Sequence, residues 1–350
     1  MIEDHYKYFR VRDYLEDTIE TGSNSIDCTL GVNPFIEENY TDPKYNHLKQ
    51  KLIQSIYEDT QVLLRKDELS FSSGTMGIIR TICTILLNEG DICIGSAPQF
   101  TRFSSEVELQ KAEYLPLHCT SDDKKFNTQA FMEFLEDNMA LGRPVKLIYL
   151  DNPNNPTGQV IPIQELTEIV KLAEFYHIYV LVDEAYGDYM DQSDSAINLM
   201  GMYKNVIIAK SASKAYGLPN DRIGYVIANK ELIEVFDQVQ LPFPFSEESM
   251  NKFIKALSNK KHIKETIRET QKIKRYIMKN IDLSHILSTS VKTPILTVYS
   301  DKYDDLRLEL AKHGLIGESC ALFYGLGKQY VRIRVSKEKE QIVEILNNVL

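Results

Sequence analysis

Three apolar runs of strand length each end in a cluster of polar residues. The runs are 145–150, 178–181 and 206–208, and the clusters that follow them are 151–158, 182–186 and 209–224. Such runs alternate with helix-like segments from about residue 45 to 230. This alternation predicts an α/β fold with a mostly parallel sheet covered by helices on both faces. Ligands bind just beyond the carboxyl ends of the strands in such sheets, so the polar clusters form the candidate site.

The third cluster places Lys214 after a buried strand and Arg222 shortly after a predicted helix start. A lysine in this place can form an imine with an aldehyde, while an arginine holds a phosphate nearby. An enzyme that uses pyridoxal phosphate needs this combination. Lys210 lies in the same segment, so a cofactor attached to Lys210 would refute the assignment to Lys214. Most lysines are solvated surface charges, so the prediction depends on the other two clusters as well.

Taken together, the three clusters resemble those of fold-type-I aminotransferases, most closely the histidinol-phosphate aminotransferase group, from about Leu30 to Val335. The resemblance implies that pyridoxal 5'-phosphate is the cofactor. Asp183 would pair with the pyridine nitrogen and keep it protonated, so that the ring can accept electrons released at the substrate Cα. Asn155 and Tyr186 would donate hydrogen bonds to the phenolate oxygen of the cofactor.

The phosphate of the cofactor is expected at the start of a helix. Backbone N–H groups and the helix dipole suit an anion where a short polar segment precedes the helix-like run 77–87. Alone, such a segment is typical of a helix cap. Within the resemblance, the predicted phosphate ligands are Ser73, Gly74, Thr75 and Met76, completed by Ser211 and Arg222.

Aromatic residues complete the predicted cofactor site. The segment 97–103 follows a strand-like run, where the family places an aromatic ring that stacks on the cofactor. Phe103 matches the usual position, and Phe100 is the competitor. The segment 40–48 resembles the one whose tyrosine reaches the cofactor phosphate of the neighbouring subunit. Tyr40 is expected in that role, with Tyr45 as the alternative, and the assignment implies a homodimer.

The substrate ligands are expected near both ends of the chain. Segment 330–335 alternates apolar and basic residues like a strand with one polar face. By resemblance Arg332 would clamp the substrate α-carboxylate, and Arg334 would point to the same side. Asn33 belongs to a segment that resembles the family's closing segment. Glu318 stands where relatives that take histidinol phosphate have an arginine, so a cationic or donor side chain is the expected substrate feature unless Glu318 points into solvent.

Length and composition agree with a two-domain enzyme. The chain has 350 residues, more than the roughly 100 to 200 of one domain. We predict an N-terminal segment (1–44) packing with the small domain, a large cofactor-binding domain (45–235) and a small α+β domain (236–350). A net charge of −10 argues against nucleic acid as a partner, and the lysine-rich stretch 255–279 is interpreted as a solvated helix face.

The sequence does not favour a metal site, a disulfide framework or a membrane segment. The five cysteines include no Cys-x-x-Cys pair and the seven histidines show no metal-ligand spacing, so neither a metal site nor a disulfide framework is expected. There is no apolar signal region and no apolar run of membrane-spanning length, which predicts a cytoplasmic protein without membrane contact.

The expected reaction is amino-group transfer from an amino acid to a 2-oxo acid. Lys214 would hold the cofactor, be displaced by the substrate amine, and then move the proton from the substrate Cα. Relatives of this group also decarboxylate or cyclise amino acids, so a decarboxylase of the threonine-phosphate type and a cyclase acting on a hydroxylated arginine stay open as alternatives. A cofactor-binding regulator without turnover is the alternative from a different class.

Overall fold

A central sheet of seven strands organises the large domain. The structure is a computed structural model that describes Phe35 and residues 45–350. Its strand order is β1-β7-β6-β5-β4-β2-β3, and β7 is the antiparallel member of a sheet whose other strands run in one direction. The strands are β1 (Leu69–Ser73), β2 (Ile92–Ala97), β3 (Glu113–His118), β4 (Val145–Asp151), β5 (Tyr179–Glu184), β6 (Val206–Ser211) and β7 (Ile223–Ile227).

Helices cover both faces of this sheet, as the alternating pattern predicts. They are α1 (Asn46–Thr60), α2 (Gly74–Leu86), α3 (Arg102–Leu109), α4 (Thr128–Ala140), α5 (Ile163–Phe175), α6 (Lys230–Val239) and α7 (Glu247–Ser258). Successive strand residues point to opposite faces, so each central strand contributes to two separate cores. Leu147 and Leu181 pack with helices α2, α3 and α6 on one face. Ile148 and Val182 pack with α1, α4, α5 and α7 on the other.

A second, antiparallel sheet of three strands lies towards the C-terminus, in the order β8-β10-β9. Its elements are β8 (Ile295–Tyr299), β9 (Glu318–Ser319) and β10 (Tyr330–Arg334), with helices α8 (Lys260–Lys279), α9 (Leu306–Lys312) and α10 (Lys339–Val349). Short 3-10 helices lie at Lys66–Glu68, Gly187–Tyr189, Gln192–Asp194, Ala196–Leu199 and Leu283–His285. The two sheets match an α/β large domain and an α+β small domain, while the exact domain bounds stay a prediction.

Of the lysines in the stretch 255–279, only Lys274 is buried, and the others are exposed or half-buried. Lys274 is fully buried in α8, and its ammonium donates to Thr289 Oγ1 (2.7 Å), Thr293 Oγ1 (2.9 Å) and the carbonyl of Ile295. Burial lowers the pKa of Lys274 well below that of an ordinary lysine. The Thr293 hydroxyl in turn donates to the carbonyl of Gly158 (3.0 Å), which lies in the loop after β4. Lys274 therefore stabilises the junction between the two sheets.

Of the helices in the described part of the chain, none is long and apolar enough to cross a membrane. Residues 45–350 contain no group of three or more histidine, cysteine or acidic side chains that could hold a metal ion. Cys83, Cys93, Cys119 and Cys320 are free thiols.

Candidate active site

The predicted residues of the three polar clusters come together at one edge of the large sheet. Strands β4, β5 and β6 are parallel neighbours, so their polar carboxyl ends lie side by side. Asp151 at the end of β4 is in register with Asp183 near the end of β5. Lys214 follows β6 in a turn and is exposed. The parallel pairing of these three strands thus brings the three sequence clusters to the same edge of the sheet.

Asp183 is a buried carboxylate held by two donors. Its Oδ1 accepts from the backbone N–H of Ala185 (2.9 Å), and its Oδ2 accepts from the hydroxyl of Tyr149 (3.1 Å). Burial raises the pKa of Asp183 to about 6, although these hydrogen bonds and the charge of Lys214 oppose the shift. Burial also raises the pKa of the Tyr149 phenol, which keeps its proton for this hydrogen bond. A carboxylate so placed favours a cationic N–H partner, such as a protonated pyridine.

Phe103 does not face the site, which corrects the sequence prediction. Its side chain is fully buried, and its ring stacks on Tyr149 with centroids 3.7 Å apart. A ring that stacks on a cofactor must present a free face to the site, and Phe103 presents its face to the core. Phe100 is half-buried in the loop that follows β2, with its backbone N–H donating to Asp151 Oδ2 (3.1 Å). The competitor Phe100 is therefore the better candidate, and Phe103 supports the tyrosine that binds Asp183.

The two candidate lysines have different surroundings. Lys210 is buried, and its ammonium lies 3.0 Å from Glu184 Oε2. Burial alone would lower the pKa of Lys210, but the carboxylates of Glu184 and Asp188 raise it above the usual lysine value. Lys214 is exposed at the sheet edge, with its ammonium 5.1 Å from the ring centroid of Tyr186. Lys214 is thus accessible to an aldehyde, whereas Lys210 is held in an ion pair.

A candidate phosphate cradle lies where β1 meets the start of α2. Gly74 has a φ of +69°, and a Cβ on it would lie 2.4 Å from Arg222 Nη2. A Cβ on Gly224 would lie 2.4 Å from the Gly74 carbonyl carbon, so both positions need glycine for this close approach. Ser73 is the N-cap residue, yet its side chain makes no capping hydrogen bond. Ser211 is in register with Gly224, which puts it beside the same helix start. Thr75 and Met76, in the first turn of α2, are half-buried.

Arg332 connects the small sheet to this site. Its guanidinium donates through Nη1 to Asn155 Oδ1 and through Nη2 to the carboxylate of Glu318. Arg332 and Glu318 are also paired residues of β10 and β9. Arg334 lies on the same face of β10 but is exposed, beside Tyr189 and Glu338. Of the two arginines, Arg332 is therefore the one that reaches the cluster after β4.

Two predicted residues lie outside the described residues, namely Asn33 and Tyr40. The alternative to Tyr40 is described. Tyr45 is 2% exposed, its hydroxyl donates to the carbonyl of Phe245 (2.8 Å), and its ring packs against Phe71 and Phe245. Tyr45 is thus part of the core of its own chain, which leaves Tyr40 as the candidate for the partner's site.

Two residues that shape the site, Tyr149 and Asp151, are not among those predicted from the sequence. The Tyr149 hydroxyl donates to Asp183, and the Asp151 carboxylate accepts from backbone N–H groups in the loops after β2 and β4. Both are polar side chains near the end of β4, whose other buried residues are aliphatic, which is a usable signal for a buried hydrogen bond. Their partners lie on other strands or loops, so the linear pattern does not identify them.

The seven-stranded sheet with one antiparallel strand, carrying its site at the carboxyl ends, is the large-domain architecture of fold-type-I pyridoxal-phosphate enzymes. Within that class, the chain belongs to the aminotransferase class I and II family, whose model matches residues 36–346. The protein is an aminotransferase, and its cofactor is pyridoxal 5'-phosphate. Arg222 Nη2 lies 2.4 Å from where a Cβ on Gly74 would stand, so a guanidinium adjoins the start of α2, and these two groups fit the phosphate of that cofactor.

Individual proteins show the same relationship. The chain is 25% identical over 352 residues to the histidinol-phosphate aminotransferase of Methanosphaera stadtmanae, covering 96% of this chain and 91% of the relative. A histidinol-phosphate aminotransferase from Sinorhizobium meliloti in complex with pyridoxal-5'-phosphate has a TM-score of 0.69 at 20% identity, covering 89% and 84% of the two chains. An L-threonine-O-3-phosphate decarboxylase from Porphyromonas gingivalis also has a TM-score of 0.69, at 18% identity, covering 89% and 90%. The fold alone therefore does not identify the substrate.

Proposed function

We propose that the protein moves an amino group between an α-amino acid and a 2-oxo acid whose recognised anion is a single carboxylate. The observation that carries this proposal is the position of Arg332, with one arm of its guanidinium on Asn155 and the other on Glu318. A planar guanidinium is matched to a planar carboxylate. Its contact with Asn155, the predicted phenolate donor, supports a carboxylate receptor beside the cofactor site.

Lys214 and Asp183 would carry the chemistry. When bound, pyridoxal phosphate supplies a ring that accepts the electrons released at the substrate Cα. Asp183 would hold the proton on the pyridine nitrogen, Tyr186 and Asn155 would donate to the phenolate oxygen, and the cradle of Ser73, Gly74, Ser211 and Arg222 would bind the phosphate. The Lys214 amine, exposed beside Tyr186, would attach the cofactor in the resting enzyme and move the proton from the substrate Cα.

Glu318 sets the charge of the carboxylate receptor. Its carboxylate is half-exposed and pairs with Arg332, so the two side chains together carry no net charge. A phosphate carries about −1.5 to −2 charges at pH 7 and would meet one arginine with a carboxylate beside it. A monoanionic carboxylate is a better match for that charge. Glu318 therefore lowers the net charge around Arg332. This role replaces the expectation from the sequence that Glu318 binds a cationic side chain of the substrate.

A half-reaction screen tests the proposed function. Purified protein with bound cofactor is mixed with individual amino acids and with histidinol phosphate, and the absorbance of the cofactor is followed. We expect several α-amino acids to convert the cofactor to its aminated form and histidinol phosphate to react much more slowly. Efficient conversion by histidinol phosphate would contradict the argument from Glu318. Release of carbon dioxide without amination would instead indicate a decarboxylase.

We also propose a cytoplasmic homodimer in which Tyr40 reaches the cofactor phosphate of the partner. The resemblance of segment 40–48 and the commitment of Tyr45 to its own core support this assignment. Mixing subunits tests it, because a hybrid of Lys214→Ala and Tyr40→Phe subunits contains one site with both native residues. Activity should reappear on mixing two impaired variants. No gain in activity after verified subunit exchange would place both residues in the same subunit's site.

A further inference from the structure

Asp151 is a buried carboxylate that no part of the proposed reaction uses. It lies at the end of β4, is 5% exposed, and accepts three hydrogen bonds. Its Oδ2 accepts from the backbone N–H of Phe100 (3.1 Å) and of Asn155 (2.9 Å), and its Oδ1 accepts from Asn154 Nδ2 (2.8 Å). One side chain therefore connects the loop after β2 to the loop after β4.

These two loops would form two walls of the proposed cofactor site. Phe100 is the candidate ring-stacking residue, and Asn155 binds Arg332 and is the predicted donor to the phenolate oxygen. Asn154 makes a second contact between the loops, because its Nδ2 also donates to the carbonyl of Pro98 (3.0 Å). Since the β4 strand is fixed in the core, Asp151 sets both loops relative to Asp183, its register partner on β5.

We propose that Asp151 is a positioning residue of the aminotransferase site, which sets the place of the Asn155 amide by fixing the backbones of Phe100 and Asn155 together. The inference rests on the proposed roles of Phe100 and Asn155. Burial raises the pKa of Asp151 to about 7, but the N–H groups of Asn155 and Phe100 oppose that shift and so favour the ionised carboxylate. These two backbone N–H groups therefore partly offset the cost of burying the carboxylate.

Asp151→Asn removes the charge and puts an amide N–H₂ group where one carboxylate oxygen accepts a bond. If Asp151 acts through Asn155, the variant weakens the donor to the phenolate oxygen. We expect the pH at which the bound cofactor changes its absorbance to rise by about one unit, as in Asn155→Ala. We also expect a raised KM for amino acids, because Asn155 orients Arg332. The matched control is Asp91→Asn, a buried carboxylate that accepts from the Asn88 N–H at the other end of the sheet.

A double-mutant cycle makes the test specific. In an Asn155→Ala background, Asp151→Asn should shift the absorbance midpoint by much less than it does alone. Equal shifts in both backgrounds, or an unchanged midpoint with only a lower melting temperature of the apoenzyme, would overturn the proposal. Wild-type protein that binds no pyridoxal phosphate would instead contradict the cofactor assignment itself, and cofactor affinity measured on the same samples distinguishes the two failures.

Discussion

Replacing Lys210 with methionine should destabilise the protein without removing the attachment site of the cofactor. The side chains of Lys210 and Glu184 are 3% and 0% exposed. Glu184 also accepts hydrogen bonds from Ser195 Oγ (2.8 Å) and the Ala196 N–H (2.6 Å). Without Lys210, the Glu184 carboxylate would keep these donors but lose its cationic partner. Breaking a buried ion pair typically costs about 3–5 kcal/mol.

The loss should depend on pH, because a buried carboxylate can take up a proton. For an ordinary glutamate with a pKa near 4.3, that uptake costs about 3.7 kcal/mol at pH 7 and about 1.6 kcal/mol at pH 5.5. We therefore expect Lys210→Met to lower the free energy of unfolding of the apoenzyme by about 3–4 kcal/mol at pH 7, and by roughly half as much at pH 5.5. Urea unfolding of both proteins at both pH values measures the difference.

Two further variants complete this test. Lys214→Met changes an exposed residue and should alter the stability of the apoenzyme by less than about 0.5 kcal/mol. Lys210→Met with Glu184→Gln should recover much of the lost stability, because no unpaired Glu184 carboxylate remains. The reasoning would be refuted if Lys210→Met kept full stability at pH 7, or if it lost covalent attachment of the cofactor while Lys214→Met retained it.

Three other predictions concern Arg332 and the buried carboxylates. Arg332→Ala should weaken the binding of every α-carboxylate substrate by roughly 2–5 kcal/mol, and Arg334→Ala should weaken it much less. If substrate titrations gave the larger loss of binding for Arg334→Ala, the assigned arginine would be wrong by two residues. Glu318→Gln should lower the KM of α-carboxylate substrates by up to about fivefold, since a partly exposed ion pair is worth up to about 1 kcal/mol. The ratio of kcat/KM for cationic over neutral amino acids should stay unchanged. A changed ratio would show that Glu318 binds the side chain of the substrate. Burial raises the pKa of Asp183 to about 6 and of Asp151 to about 7, so both carboxyls bind more protons in the folded chain than in the unfolded one. Their contribution to stability is therefore full below about pH 4 and is lost as the pH rises to about 7, by roughly 3 to 4 kcal/mol for each group in the apoenzyme. Asp151→Asn should flatten this dependence in urea unfolding, and an identical slope in wild type and variant would contradict it.

The sequence predicts the parts of the site that depend on strand ends. Asp183, Asn155 and Lys214 follow apolar runs, and parallel pairing of β4, β5 and β6 brings such positions together whatever the details of packing. Gly74 is also predictable, because a glycine before an apolar helix suits an anion. These positions follow from local pattern and topology alone.

The remaining positions depend on packing between distant segments. Residues 100 and 103 are both phenylalanine, so the sequence does not distinguish them. Phe103 stacks on Tyr149 because of how the core packs on one face of the sheet. The ion pair of Glu318 with Arg332 requires the pairing of β9 with β10, since the two-residue strand Glu318–Ser319 has no recognisable pattern of its own. Lys274 likewise looks like a solvated lysine in the sequence, because its three oxygen partners lie 15 to 21 residues away along the chain.

Borohydride reduction of the purified protein tests the central claim most directly. The reagent fixes a cofactor attached to a lysine, and peptide mass analysis identifies the labelled residue. We predict a yellow protein whose reduced cofactor is found on Lys214, and no attachment in Lys214→Ala. A label on Lys210, or an unlabelled protein after incubation with pyridoxal phosphate, would contradict the account.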